Sequence, residues 1–278
     1  MSSKTRLEQR ASLVIGRPAA NFSPLFLVGL TLLAAGCTAD LPPETQSAPR
    51  TQEVITIGIT AEAAPAGAGV QACSEVLKAA VVLEETGIRS VVEADFDLVI
   101  TLGMVPENPD SVAPIAEEEI ILVVPAKEEL VPVLSTEKLQ AIFAGRARSW
   151  SEVQDGAFGS GPISLWNYPA GHPLRDVIEA ALLESSTEVA PIALLAPGPR
   201  QMVEALSGGE GGVGFLPSAW IAPGLQKLEL EPEVQQKLRL PVLISSRHEF
   251  AGELHSIVSC LQVGLGHEAL MDIYPSGG

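Results

Sequence analysis

Basic residues are scarce in this chain of 278: 17 Lys and Arg stand against 34 Asp and Glu, for a formal net charge of −17. That balance excludes a nucleic-acid partner, because a basic footprint is what neutralises phosphates. Aromatic residues make up 4% of the chain, and it has three cysteines and four histidines. Three cysteines do not build a disulfide-dense mini-protein. His172, His248, His255 and His267 show neither H-E-x-x-H nor any paired metal-ligand spacing. There is no G-x-S-x-G elbow and no P-loop. With no nucleophile, base and orienting group to assemble, the chain does not read as an enzyme, and no cofactor or metal is called for. What it does have is 46% hydrophobic residues. That suffices for a real core in one large or two small domains.

The positive charge of the first stretch, Lys4, Arg6, Arg10 and Arg17, precedes an uncharged, mostly apolar run from Pro24 to Gly36. This is the n-region and h-region of a signal peptide, too short for a spanning helix by the criterion of ~20 residues. Leu33-Ala-Ala-Gly-Cys37 resembles the bacterial lipobox. The resemblance implies a lipoprotein signal peptide over 1–36, cleavage before Cys37 and acylation of its thiol. Removal of 1–36 leaves 13 basic against 33 acidic residues, net −20. So acidic a chain is kept from anionic headgroups, and the lipid on Cys37 is then the membrane anchor. Residues 37–51, polar and Pro-rich, read as a flexible tether.

Beyond the tether, strand and helix patterns alternate, which implies α/β architecture with mostly parallel sheet flanked by helices. Val54–Thr60 reads as a strand and Gly69–Thr86 as a helix ending at Gly87. Short β-rich runs are expected at Arg89–Val92, Phe96–Thr101 and Glu119–Pro125, then Leu240–Ser245 and a long amphipathic helix over Gly252–Met271. The acidic run Glu117–Glu119 is expected at a solvated loop edge, and Gly208–Gly212 as a helix stop. The strongest local signal is Leu134–Val153. Ser135 is its N-cap, Leu139, Ile142 and Phe143 share a helix face, Gly145 is a stop, and Ser149-x-x-Glu152 gives a capping-box pattern around Trp150.

That segment, L-S-x-E-x-L-x-x-I-F-x-G-x-x-x-x-W-x-E-V, resembles the second lobe of the phosphate-binding proteins that serve ABC importers, which have the type 2 periplasmic-binding-protein fold. Glu119–Pro125 is similar to a strand crossing between lobes, Gly211–Pro217 to a G-A-I-G-Y-V segment, and Leu240–Arg247 with the last helix to the return into lobe one. The resemblance implies two α/β lobes, 52–123 plus 240–278 and 124–239, with ligand captured between them by hinge closure. Cys73 and Cys260 both fall in lobe one, either as a disulfide or as two buried thiols.

Oxyanion capture without a metal uses helix N-terminal amides, hydroxyls and an arginine fork. Three loops fit that role: Thr60–Gly69, Pro169–Arg175 and Pro197–Gln201. Pro173 suits a first helical turn and leaves the amides around Gly171 and His172 to form an anion nest. The family's R-x-x-x-S-G-T motif overlays on Trp166, Ala170, Gly171 and His172, so only the glycine is kept. Its Ser-Asp pair overlays on Thr101-Leu102: the hydroxyl remains, while the carboxylate that accepts a proton from phosphate is gone. Each lost charge-assisted bond is worth ~1.5–3 kcal/mol, so tight phosphate binding does not follow from the fold.

The expected ligand set is Thr60, Thr101, Asn167, Gly171, His172, Arg175 and Arg200. Trp166 is a pocket wall or a core residue. The chain is read as a monomeric, lipid-anchored, extracytoplasmic solute-binding protein, with a small-molecule solute (an oxyanion or a small polar solute) and an ABC permease as partners. The alternative is an envelope lipoprotein of the same fold that has lost solute capture and serves as an interaction or sensory module.

Overall fold

The structure is a computed structural model that describes residues 53–126, 134–153, 161–183, 189–209 and 211–275. The signal peptide, the tether and Cys37 lie outside the described residues.

The chain enters on β1 (Val54–Thr60), where Ile55, Ile57 and Ile59 are buried and β-branched. Phe96 lies across this strand, and a Cβ at Gly58 would come within 2.5 Å of its ring. β1 pairs in parallel with β2 (Ala80–Thr86) on one side and β3 (Leu98–Leu102) on the other. Two expectations are corrected here. The segment 69–86 is a helix, α1 (Gly67–Ser74), followed by β2, because pairing of all seven β2 residues with β1 overrides the helical pattern. Arg89–Val92 lies in a helix, α2 (Ile88–Glu93): β2 and β3 run parallel, so the chain between them must cross back.

β3 meets β9 (Arg239–Ser246) antiparallel, and β9 lies antiparallel to the long β4 (Ser111–Pro125). β4 starts eight residues before the expected run, through a register irregularity between Pro114 and Ala116. Up to Glu119 it pairs with β9; from Ile120 it pairs with β7 (Gly212–Pro217) and then β8 (Leu225–Lys227). This change of partner carries the chain from one lobe to the other. In the second lobe β5 (Ser164–Asn167) pairs in parallel with β7 and with the short β6 (Leu194–Leu195). The fold is thus two-lobed α/β, with parallel strands outermost and the crossing strands antiparallel.

The second-lobe motif folds as expected. α3 (Thr136–Phe143) has Ser135 at its N-cap and buries Leu139, Ile142 and Phe143. Gly145, at φ +70°, ends the turn where a Cβ would meet Ala190 at 2.7 Å. α4 (Trp150–Val153) buries Trp150, whose Nε1–H donates to the Gly211 carbonyl at 3.1 Å. α5 (Pro173–Leu182) and α6 (Pro199–Ser207) both open on proline, and α6 stops at Gly208. After α7 (Pro232–Lys237) and β9, the last helical region is two helices, α8 (Gly252–Val263) and α9 (Leu265–Ile273), parted by the extended Gly264. Cys73 on α1 and Cys260 on α8 form a disulfide, Cα to Cα 5.9 Å.

The acidic run is corrected too. It sits within β4, and strand alternation turns Glu118 into the core at 1% exposure, while Glu117 is exposed.

Candidate functional site

The end of β1 with the turn that follows it, and the end of β5 with the start of α5, meet at one place. β1 ends at the buried Thr60 and runs into a tight 3-10 turn over Ala61–Ala66. β5 ends at Asn167, buried, whose Oδ1 accepts the Tyr168 N–H at 2.8 Å. Tyr168 is buried, donates to the Phe215 carbonyl at 3.1 Å and stacks on His172, ring centroids 4.2 Å apart and planes 14° off parallel. His172 is the N-cap of α5, and its Nδ1 accepts the Leu174 N–H at 3.3 Å. That acceptor role assigns the ring proton to Nε2, which lies 2.9 Å from Glu62 Oε1 on the opposite lobe.

Glu62 and His172 have side chains only 11% and 12% exposed. Burial pushes the Glu62 carboxyl up, but the His172 ring beside it and the Thr60 hydroxyl outweigh that and hold it below the usual range. The same burial, with the Glu62 charge added, pushes the Tyr168 phenol well up. Trp220, in the 3-10 turn Ser218–Trp220 after β7, donates its Nε1–H to the Glu62 carbonyl at 3.3 Å. Glu62 is thus gripped by its side chain and by its main chain from the second lobe.

Behind this turn sits Glu118. Its carboxylate accepts from the Ser218 N–H at 2.9 Å, the Ser218 hydroxyl at 2.6 Å and the Ala219 N–H at 3.4 Å. Burial dominates all three and raises its pKa to about 7. Its neighbours face the other way and are paired: Glu117 with Arg239 at 2.9 Å, and Glu119 with Lys227 at 2.7 Å and Gln235 at 2.8 Å.

Beside the Glu62–His172 contact a cavity of about 510 Å³ lies between the lobes. Leu102, Gly103 and Met104 line it from the end of β3, and Gly171, Pro173 and Val177 from the start of α5. Arg89, Glu93 and Asp176 are its charged groups.

The expected ligand residues divide in two. Thr60 and His172 come together on Glu62, and Gly171 borders the cavity. Thr101 is buried next to that cavity's Leu102 and donates its hydroxyl to the Met104 carbonyl. Arg175 instead pairs along its own helix with Glu179 at 2.8 Å. Arg200 is exposed, 3.9 Å from Glu85, with its guanidinium 5.5 Å from the Trp220 ring centre. At α5 the His172 N–H donates to the Pro169 carbonyl, and those of Arg175 and Asp176 to the His172 carbonyl. Glu62 is absent from the expected set; a carboxylate two residues past a strand end, in a loop facing a helix start, was the available signal.

No protein-family profile and no curated protein matches the chain. Solved structures do. A substrate-binding protein assigned to phosphate ABC transport in Clostridium perfringens, with bound phosphate, superposes with a TM-score of 0.67 at 16% identity, over 80% of this chain and 98% of that one. An ABC-type phosphate transport receptor from Vibrio cholerae gives 0.58 at 18%, over 80% and 98%. A full-length OxyR variant from Pseudomonas aeruginosa gives 0.55 at 15%, over 77% and 69%. At these identities the likeness establishes the fold, the two-lobed periplasmic-binding-protein-like architecture.

Proposed function

We propose that this chain is a solute-binding protein of an ABC importer, held at the outer face of the membrane by acyl chains on Cys37 and taking a small polar solute between its lobes. The lobes are 52–123 plus 240–278 and 124–239, joined through β4 and β9. One observation carries the reading: the cavity of about 510 Å³ is walled by the end of β3 from one lobe and the start of α5 from the other. A solute there would be enclosed by hinge motion of the crossing strands. The solved phosphate-binding structures of the same fold support the solute-binding class.

The residues speak against tight phosphate binding. Neither Arg175 nor Arg200 reaches the Glu62–His172 contact, since each is turned to a carboxylate elsewhere. A resident carboxylate, Glu62, stands among the loops that would hold an oxyanion. The solute is accordingly neutral or cationic, held by the cavity's apolar wall with Gly171 at its edge and with two carboxylates, Glu93 and Asp176, against one guanidinium, Arg89.

The test is titration of the purified protein with phosphate, other oxyanions and small polar metabolites, followed by tryptophan fluorescence and thermal shift. A neutral or cationic solute that raises the melting temperature supports the reading. Failure of every solute removes it and favours the second reading, an interaction or sensory module at the envelope. The observation behind that reading is the direct Glu62–His172 contact, which closes the lobes on each other.

A further inference from the structure

We propose that Glu62 is a built-in ligand: its carboxylate is gripped across the cleft as a bound small anion would be, and this holds the two lobes together with no solute present. The inference deepens the solute-binding reading and rests on it for the assumption that the lobes open and close.

Everything around Glu62 is arranged as for an anion. His172 is fixed on one side by the Leu174 N–H at its Nδ1 and on its face by the Tyr168 ring, and its buried Nε2 lies 2.9 Å from Glu62 Oε1, a close polar contact without hydrogen-bond alignment, and has no hydrogen-bond partner among the described residues. It caps a ten-residue helix whose positive end favours negative charge. Thr60, buried at the end of β1, lies two residues before Glu62 in the first lobe. Tyr168 is in turn anchored to β7 through the Phe215 carbonyl at 3.1 Å, and Trp220 secures the Glu62 main chain at 3.3 Å. The groups that hold Glu62 therefore belong to the second lobe, while the anion is part of the first. An intramolecular anion acts at an effective concentration set by the fold. A free anion must displace it to enter, which makes Glu62 a specificity-determining residue against oxyanions.

The test is chemical rescue in the full chain. In Glu62→Ala the small-angle scattering profile should shift to a larger radius of gyration than wild type. Acetate should restore the wild-type profile saturably, while acetate and phosphate leave wild type unchanged. Acetate binding to Glu62→Ala should be about tenfold or more tighter than to wild type, the equivalent of one charge-assisted bond. His172→Ala, which removes the principal donor, should also expand and should not respond to acetate. The inference is overturned if Glu62→Ala is as compact as wild type, or if it expands and acetate does not close it. If Glu62→Ala is too unstable to purify, Glu62→Leu serves, since it keeps the volume and leaves no acceptor for the His172 ring: it should expand relative to wild type, and an unaltered profile overturns the inference.

The solute panel, run on wild type, keeps the two readings apart. An oxyanion that binds wild type and Glu62→Ala equally well removes this inference and leaves solute binding intact. Acetate rescue alongside a wild type that takes no solute removes the importer reading and leaves Glu62 as a lobe latch.

Discussion

Glu62, half-buried, and Glu118, buried, both face polar groups of the second lobe, yet they end on opposite sides of the ordinary carboxylate range. Glu62, at the cleft mouth, faces the His172 ring and is held low. Glu118, in the crossing strand, accepts from the Ser218 hydroxyl and the Ser218 and Ala219 amides, and burial lifts it to about 7. The His172 imidazole against Glu62 outweighs the loss of hydration there, whereas the hydroxyl and amides around Glu118 do not. The 3-10 turn Ser218–Trp220 contacts both, through Ser218 at Glu118 and Trp220 at the Glu62 carbonyl. The cleft mouth and the crossing strands are thus linked by one short segment.

Removing the cation-capable partner should break the contrast most severely. His172→Ala leaves Glu62 without its donor, at an expected cost of about 3–5 kcal/mol if the lobes stay shut, read as a lowered midpoint in denaturant melts. Next comes the pH dependence of Glu118. Its folded pKa of about 7 lies above the unfolded value of 4.5. The folded state therefore binds more protons between these values, and stability falls as pH rises through that window, by about 3 kcal/mol at ~1.4 kcal/mol per unit. Glu118→Gln should flatten that slope in melts between pH 5 and pH 8. Glu62 has the opposite sign: its contribution is present at neutral pH and is lost on acidification through its depressed pKa.

Smaller effects sharpen the same contrast. Trp220→Phe removes the Nε1–H that the Glu62 carbonyl accepts and should cost about 1 kcal/mol in thermal melts. Arg175→Ala removes an i,i+4 pair on α5 and should change stability by about 0.5 kcal/mol or less. It should leave the response to every solute in the titration unaltered.

How legible these features were depends on whether the cause is local. The α3–α4 segment and β1 could be read directly, because caps, a glycine stop and β-branched residues act over a few positions. The states of β2 and α2 are set by pairing and crossover with β1, so their own patterns give a helix for the one and a strand for the other. Pro114 hid the first half of β4, and with it the alternation that buries Glu118 between two exposed or half-buried acids. At the site, strand ends and a proline-led helix start pointed to Thr60, Gly171 and His172. Glu62 went unseen because its partner lies across the cleft, 110 positions away in the chain.

The distance between the lobes, measured by paired labels on the exposed Lys78 and Ala180 in the protein without solute, tests the central claim most directly. A single short distance in wild type that becomes longer and broader in Glu62→Ala, and shortens again with acetate, is the expected result. Equal distances in the two proteins would contradict it.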